Sequence, residues 1–263
     1  MFVIGERING MFDDARNAIV ARNQGVIQDL TLRQIRGGAD ALDINVGPAK
    51  GKPVDNMIWL IETVQQATDC PLAIDTPKFE VMKEALAACK NPTIINSTKA
   101  TEEGLEKYIP LAVETGSRLI ALTIDQSGVP SNVDNRILMG ATIVAKAMEG
   151  GLDLRNLFID TVILPVNVAP RQPAAVMEAI RQLKVVSSPP PQFVLGLSNV
   201  SQGCRERHLI NRIYLAMAIG AGLDAAIMDS MDEELMAAAI TADLLLEKQI
   251  YCDDYISAYM SSK

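Results

Sequence analysis

Histidine is nearly missing from this chain: His208 is the only one among 263 residues. A Ser-His-Asp triad would therefore have to use His208 as its base, and no HExxH segment exists. Cysteine is sparse too. Cys70, Cys89, Cys204 and Cys252 lie far apart without a CxxC pair, so neither a zinc site nor a redox couple is signalled. Aromatics make up 4% of the chain, and Trp59 is the one tryptophan. Paired carboxylates serving glycoside hydrolysis would lack the aromatic platforms on which sugars stack. Positive charge is in deficit, with 24 Lys and Arg against 32 Asp and Glu, net −8. Nucleic acid needs clustered cations to displace counterions, and anionic lipid needs a polybasic patch. Neither partner is expected. No apolar run reaches the ~18 residues of a membrane span; the longest such region, Ile213 to Met228, is broken by Gly220, Gly222 and Asp224. The start, Met1 to Arg7, has no basic stretch leading into an apolar one, so no secretory signal is expected. A cytoplasmic protein with free thiols is the expectation.

What the chain has is a rhythm. Its composition is 49% apolar, and its mean hydropathy of +0.16 argues against disorder. Short apolar, β-branched runs alternate with longer stretches of helical period. Strands are read at Phe2–Ile8, Ala41–Val46, Leu72–Asp75, Thr93–Asn96, Arg118–Ile124, Leu157–Ile163, Phe193–Leu197 and Ala225–Met228. Between them, Val54–Thr68 and Ala174–Val186 carry apolar stripes of helical spacing. Gly37-Gly38, Gly116, Gly150-Gly151 and Gly222 fall where helices should stop. The polar residues that close the strands are Asn9, Asn45, Asp75, Asn96, Asp125, Asp160, Asn199 and Asp229. They recur about every 31 residues, the unit length of an eightfold barrel of ~250 residues. An open doubly wound sheet would want a glycine fingerprint, and Gly5-Glu6-Arg7-Ile8-Asn9-Gly10 is not one. The reading is α/β, a single (β/α)8 TIM barrel occupying residues 1–263 as one domain.

In such a barrel the active site lies at the carboxyl ends of the strands. Some of the closing residues are helix caps, a role that Asp and Asn favour, Asn45 and Asp229 above all. Two carboxylates and two amides, Asp75, Asp160, Asn96 and Asn199, remain facing one mouth. Carboxylates accept hydrogen bonds, and amides both accept and donate. A flat heterocycle with a guanidine-like edge suits that set. Phosphate does not, because no Lys/Arg cluster or glycine nest stands at the strand ends. His208, in Glu206-Arg207-His208-Leu209, reads as a surface or capping histidine. The methionines sit at helical apolar positions and read as core filler. No metal site is expected.

Four segments resemble those of a known family: Ile4-Gly5-Glu6-Arg7-Ile8-Asn9-Gly10, Leu42-Asp43-Ile44-Asn45-Val46-Gly47, Ile94-Ile95-Asn96-Ser97-Thr98 and Leu195-Gly196-Leu197-Ser198-Asn199-Val200-Ser201. In this order they are similar to the pterin-binding barrels, and among those to methyltetrahydrofolate:corrinoid protein methyltransferases. The resemblance implies that Asp75, Asn96 and Asp160 hold the pterin ring. It places the Asn199 amide at N5 of the folate, Gly196, Ser198 and Gln202 along the same loop, and Arg207 close to the bound folate. The roles of Asp43, Asn45 and Asp229 stay open. Thr161 departs from the Pro that follows the strand-six aspartate in several relatives. The implied activity moves a methyl group between N5 of (methyl)tetrahydrofolate and the cobalt of a corrinoid, with the direction undetermined. The implied role of Asn199 is a hydrogen bond that strengthens as N5 gains positive charge. The corrinoid (cobalamin) would come on a partner protein, since the chain has no DxHxxG and no iron–sulfur cysteine cluster. Family resemblance also implies a homodimer, and the anionic folate tail is expected to point to solvent. Two alternatives stand beside this one. A dihydropteroate-synthase-like enzyme would need basic residues where strand seven ends in Ser198-Asn199. A non-catalytic folate-binding subunit would retain methyl-folate without consuming it.

Overall fold

The computed structural model describes residues 1–48 and 52–248. Its strands are β1 (Phe2–Asn9), β2 (Ala41–Asn45), β3 (Leu72–Asp75), β4 (Thr93–Lys99), β5 (Arg118–Leu122), β6 (Leu157–Asp160), β7 (Gln192–Gly196) and β8 (Ala225–Met228). All are parallel, each pairs with the next in chain order, and β8 closes on β1 with Phe2 opposite Ala225. The helices that cover them are α1 (Asp13–Ala21), α2 (Gln24–Arg36), α3 (Pro53–Gln65), α4 (Phe79–Ala88), α5 (Glu102–Thr115), α6 (Val133–Glu149), α7 (Gln172–Leu183), α8 (Arg207–Gly220) and α9 (Glu233–Leu245). This is the (β/α)8 barrel that the strand spacing predicts.

The sequence forms these elements for local reasons. Parallel strands are buried on both faces and read as continuous apolar runs; Leu72, Ala73 and Ile74 are each fully buried. The helices are apolar on one stripe only. In α3, Met57, Leu60, Ile61 and Val64 face the strands, the i, i+3, i+4, i+7 spacing of a one-sided helix. Asn23, Thr101, Asn132 and Asp232 accept from the otherwise unpaired N–H groups of Val26, Gly104, Asn135 and Leu235. Gly116 ends α5 at φ 65, where a side chain would be strained.

The barrel interior is a separate apolar cluster with one residue from each strand: Ile4, Ala41, Ala73, Ile94, Ile120, Phe158, Val194 and Ala225. At its amino end Phe2 stacks on Phe158 at 6.1 Å. The Arg118 guanidinium covers both rings, 5.1 and 5.7 Å from their centroids. The bottom is thus closed by two rings and a guanidinium, and the acid and amide side chains gather at the carboxyl end.

Six of the eight strands differ from the sequence reading: Phe2–Ile8 and Ala41–Val46 by one residue each, and Thr93–Asn96 by running on to Lys99, so that Asn96 lies within β4 and does not close it. Leu157–Ile163 stops at Asp160, because the Asp160 carboxylate accepts the Val162 N–H at 2.7 Å and Val162 turns to φ 53. Arg118–Ile124 stops at Leu122. Asp125 accepts from both the backbone and the hydroxyl of Ser127, so it closes its own turn instead of joining the mouth. Phe193–Leu197 ends at Gly196, and Leu197–Ser201 is a short 3-10 turn.

Candidate active site

Side chains alternate along a strand, so the residue two places beyond each interior residue faces the same way. From β1 to β8 those residues are Glu6, Asp43, Asp75, Asn96, Leu122, Asp160, Gly196 and Ile227. Five of the eight are polar, Gly196 has no side chain, and Leu122 and Ile227 are apolar. The mouth is therefore a polar layer resting directly on an apolar one.

Hydrogen bonds tie the layer together. The Asn96 Nδ2 donates to Asp43 Oδ1 at 2.9 Å. The Asn45 Nδ2 donates to Asp75 Oδ2 at 2.6 Å, and Asn45 Oδ1 accepts the Gly47 N–H at 2.6 Å. Asn45 thus caps its loop and also orients a mouth carboxylate. Asn9 and Asp229 serve their own turns, accepting from the N–H groups of Met11 and Met231.

Glu6 belongs to the same layer, two places beyond the interior Ile4, and accepts the Ser198 hydroxyl at 2.7 Å. The β1–β2 register shifts between Gly5 and Ile8, and this bulge turns Ile8 outward to pack with the helices.

Burial sets the electrostatics. It pushes Glu6 from 4.5 up to about 7, against the Ser198 hydrogen bond, and nearby Asp229 adds to the rise. It pushes Asp160 from 3.8 up to about 6, against the N–H groups of Val162 and Gly196 and the Arg136 charge. Asp43 and Asp75 are both raised by burial. Asp43 is raised further by the Asp75 charge, while the Asn96 and Asn45 amides pull the other way. Two adjacent carboxyls cannot both ionise freely in such a place, so this pair retains a proton well above the ordinary carboxylate range.

Asn199 lies on the 3-10 turn after β7. A Cβ on Gly196 would sit 2.9 Å from Asn199 Nδ2. The missing side chain therefore lets the amide fold back over the end of β7. Arg207, the first residue of α8, fixes this turn by donating to Ser201 Oγ at 3.2 Å and to the Ser198 carbonyl at 3.3 Å. Gln202 is exposed just beyond, its backbone N–H donating to the Asn199 carbonyl at 3.2 Å. A cavity of about 510 Å3 opens beside Asp75, bordered by Thr76, Phe79, Ser97, Lys99 and Tyr108.

The residues singled out from the sequence divide accordingly. Asp75, Asn96, Asp160 and Gly196 share the inward layer, and Ser198, Asn199 and Arg207 belong to the turn above it. Gln202 stands at the rim. His208 is exposed and pairs with Asp232 at 2.9 Å, the surface position expected of it. No group of three or more His, Cys, Asp or Glu suited to a metal ion occurs among the described residues. No described helix is long and apolar enough to cross a membrane. Glu6 was not singled out as a site residue, and Asp43 had no assigned role. The period-2 rows Ile4-x-Glu6 and Ala41-x-Asp43-x-Asn45 contain the signals for both.

A closed (β/α)8 barrel with acid and amide side chains lining its carboxyl-end mouth defines an enzyme class whose loops carry the chemistry. The comparisons give that class a family. Residues 9–229 match the family model described as "Pterin binding enzyme", and the chain belongs to that family. It is 28% identical over 268 residues to the methylcorrinoid:tetrahydrofolate methyltransferase of Eubacterium limosum, covering 100% of this chain and 97% of that protein. It is 28% identical over 241 residues to the methionine synthase of Mycobacterium tuberculosis, covering 87% of this chain but only 20% of that much longer protein. Among solved structures, a Yersinia pestis dihydropteroate synthase with a pterine-sulfa conjugate superposes at TM-score 0.68. It has 14% identity and covers 94% of each chain, so the likeness is one of fold.

Proposed function

We propose that this protein moves a methyl group between N5 of (methyl)tetrahydrofolate and the cobalt of a corrinoid carried by a partner protein. What carries the reading is one arrangement: the acceptor wall of Asp75, Asn96 and Asp160, with the Asn199 amide folded over Gly196 beside it. That the whole chain aligns with a methylcorrinoid:tetrahydrofolate methyltransferase supports it. The reading treats residues 1–263 as one pterin-binding domain in the cytoplasm.

The donor set fits a pterin. Asp75 and Asp160 accept from the ring N–H and the exocyclic amine, and the carbonyl of Asn96 is left to accept because its Nδ2 is committed to Asp43. A carboxylate that accepts from a ring cation is worth more than a neutral acceptor. The Asn199 carbonyl accepts from N5 as the nitrogen takes on a proton. An amide is not an acid at neutral pH, so its contribution is a hydrogen bond that grows as the nitrogen changes charge, which is stabilisation confined to the transition state. The corrinoid supplies the cobalt that gives or takes the methyl. Ser198 and Arg207 keep the Asn199 turn in place, and Gln202 stands at the rim where a partner protein approaches. The roles of these residues are the same in either direction of transfer. The folate tail leaves toward solvent, and the protein works as a homodimer, which sedimentation of the purified protein measures.

The test is anaerobic mixing with methyltetrahydrofolate and reduced free cob(I)alamin. Protein-dependent loss of the cobalt(I) absorbance with formation of methylcobalamin is expected. Methyltetrahydrofolate that stays bound and unconsumed, with cob(I)alamin and with methyl-acceptor corrinoid proteins alike, would assign a storage role instead.

A further inference from the structure

Arg136, on α6, is the largest fully buried side chain of the barrel. An interior cation is expensive unless a carboxylate pairs with it. All the hydrogen bonds of Arg136 go to neutral acceptors instead. Its Nε donates to the Thr161 carbonyl at 2.6 Å, and its Nη2 donates to the Val162 carbonyl at 3.4 Å and to Gln172 Oε1. Its Nη1 has no partner among the described residues, and neither have the neighbouring buried hydroxyls of Thr161 and Tyr214. A neutral donor could serve these acceptors without the cost of a buried charge, so hydrogen bonding alone gives no reason for an arginine.

The geometry gives a different reason. The Thr161 carbonyl and the Val162 N–H belong to one peptide group. Arg136 grips its oxygen, and Asp160 Oδ1 accepts its N–H at 2.7 Å. The guanidinium and the mouth carboxylate are thus joined through a single peptide plane, and hydrogen bonds in such a chain polarise one another. That plane leads into Val162 at φ 53. A β-branched residue in the left-handed region is a real outlier, held only where its surroundings over-determine it. The two carbonyl contacts of Arg136 do this.

We propose that Arg136 is a positioning residue for the pterin site: it fixes the Thr161–Val162 peptide, aims the Asp160 carboxylate into the mouth, and supplies the positive field behind it. The ligand side of this rests on the function proposed above. The groups acting on Asp160 are the Val162 and Gly196 N–H donors, Arg136 from α6 and the Tyr214 hydroxyl from α8.

The experiment follows the Asp160 carboxyl by carbon-13 NMR, assigned with Asp160→Asn, in the full chain and in Arg136→Gln. It is paired with methyltetrahydrofolate binding across pH and with a melting curve. The wild-type carboxyl is expected to titrate near pH 6. In Arg136→Gln we expect the midpoint to rise by a few tenths of a pH unit, about a twofold change in proton affinity, because the N–H donors of Val162 and Gly196 outweigh the guanidinium. Methyltetrahydrofolate affinity should fall about tenfold, the scale on which an outer-shell partner acts. A folded variant with unchanged midpoint and affinity overturns the proposal, as does a lower melting temperature with the midpoint unmoved. If Arg136→Gln fails to fold, Arg136→Lys decides, because it keeps the charge but not the fork: several-fold weaker binding supports the positioning role and wild-type binding refutes it. If the wild type itself does not bind methyltetrahydrofolate, the proposed function fails, while the carboxyl titration still tests the Arg136–Asp160 link.

Discussion

Replacing Asp160 by asparagine should make the protein more stable at high pH while damaging its pterin site. The Asp160 side chain is 8% exposed, and burial lifts its pKa from 3.8 to about 6. Its folded value lies above its unfolded value, so its contribution to stability is fully present below about pH 4 and is lost as pH rises through about 6. Each pH unit of difference is worth about 1.4 kcal/mol. The ionised carboxylate therefore costs the fold about 3 kcal/mol at pH 8 and about 0.5 kcal/mol at pH 4. Asparagine keeps the shape and still offers Oδ1 to the Val162 N–H, but brings no charge to bury. The attraction of Arg136 is already contained in the net shift. Urea unfolding at the two pH values gives the difference directly. Asp160→Asn should gain about 2–3 kcal/mol on wild type at pH 8 and almost nothing at pH 4, with a rise of roughly 2–4 °C in melting temperature for each kcal/mol. Methyltetrahydrofolate should bind less well at both. A variant less stable than wild type at pH 8, or a difference that does not change with pH, would refute the assignment of a buried, strained charge.

Three further outcomes follow from the same geometry. Asn199→Ala should lower turnover by about 10²–10³, as removal of a transition-state hydrogen-bond partner does, while methyltetrahydrofolate affinity stays within a few-fold; steady-state kinetics and direct binding together separate the two, and equal losses in both would remove Asn199 from the chemistry. Gly196→Ala places a methyl 2.9 Å from the unmoved Asn199 Nδ2, so the amide must shift; slower transfer in a protein with wild-type melting is expected, and unchanged transfer would show that the amide's position does not matter. Phe158→Ala empties a fully buried position in the barrel interior; a loss of about 3–5 kcal/mol in urea unfolding is expected.

Most of the barrel was legible in the sequence because its units repeat and each carries two independent signals. Strands Leu72–Asp75 and Ala225–Met228 lie where the apolar runs put them, since a parallel strand covered on both faces has no polar residue until it ends. The misplaced ends have local causes beyond the reach of periodicity. Val162 and Ile163 extend the apolar run of β6 in sequence, yet the Asp160 side chain takes the N–H of Val162 and ends the ladder. Leu197 extends β7 in the same way and instead opens a 3-10 turn. The site shows the same division. Asp75 and Asp160 were legible because a lone polar residue closing an apolar strand stands out, and Asn96 stood out after Ile94-Ile95 although β4 runs on to Lys99. Asp125 has the same appearance and stays outside, because Ser127 two residues on gives it a local partner. Glu6 carries the same period-2 signal, two places beyond the interior Ile4, and escaped notice because β1 runs on past it to Asn9, so that it closes nothing. Arg136 gave no sign at all: one arginine in a helix is ordinary until its burial is known.

The crowding of raised carboxyls at the mouth follows from where the mouth lies. Glu6, Asp43, Asp75 and Asp160 stand on a floor of Ile4, Ala41, Ala73 and Phe158, which excludes water from beneath them. Burial raises the pKa of every one of them, so the fold gains nothing from their charge. A ligand that brings N–H donors or a proton of its own reverses that balance, because it supplies the partner that burial withholds. Binding should then pull the carboxyl pKa values down. Methyltetrahydrofolate should accordingly bind more tightly as pH rises through about 6, where Asp160 gives up its proton in the free protein, and the gain should vanish in Asp160→Asn. Binding measured at pH 5 and pH 7.5 decides it. Affinity that falls with rising pH would mean that the mouth receives the ring with its carboxyls protonated, and the acceptor wall would have to be reassigned as a donor.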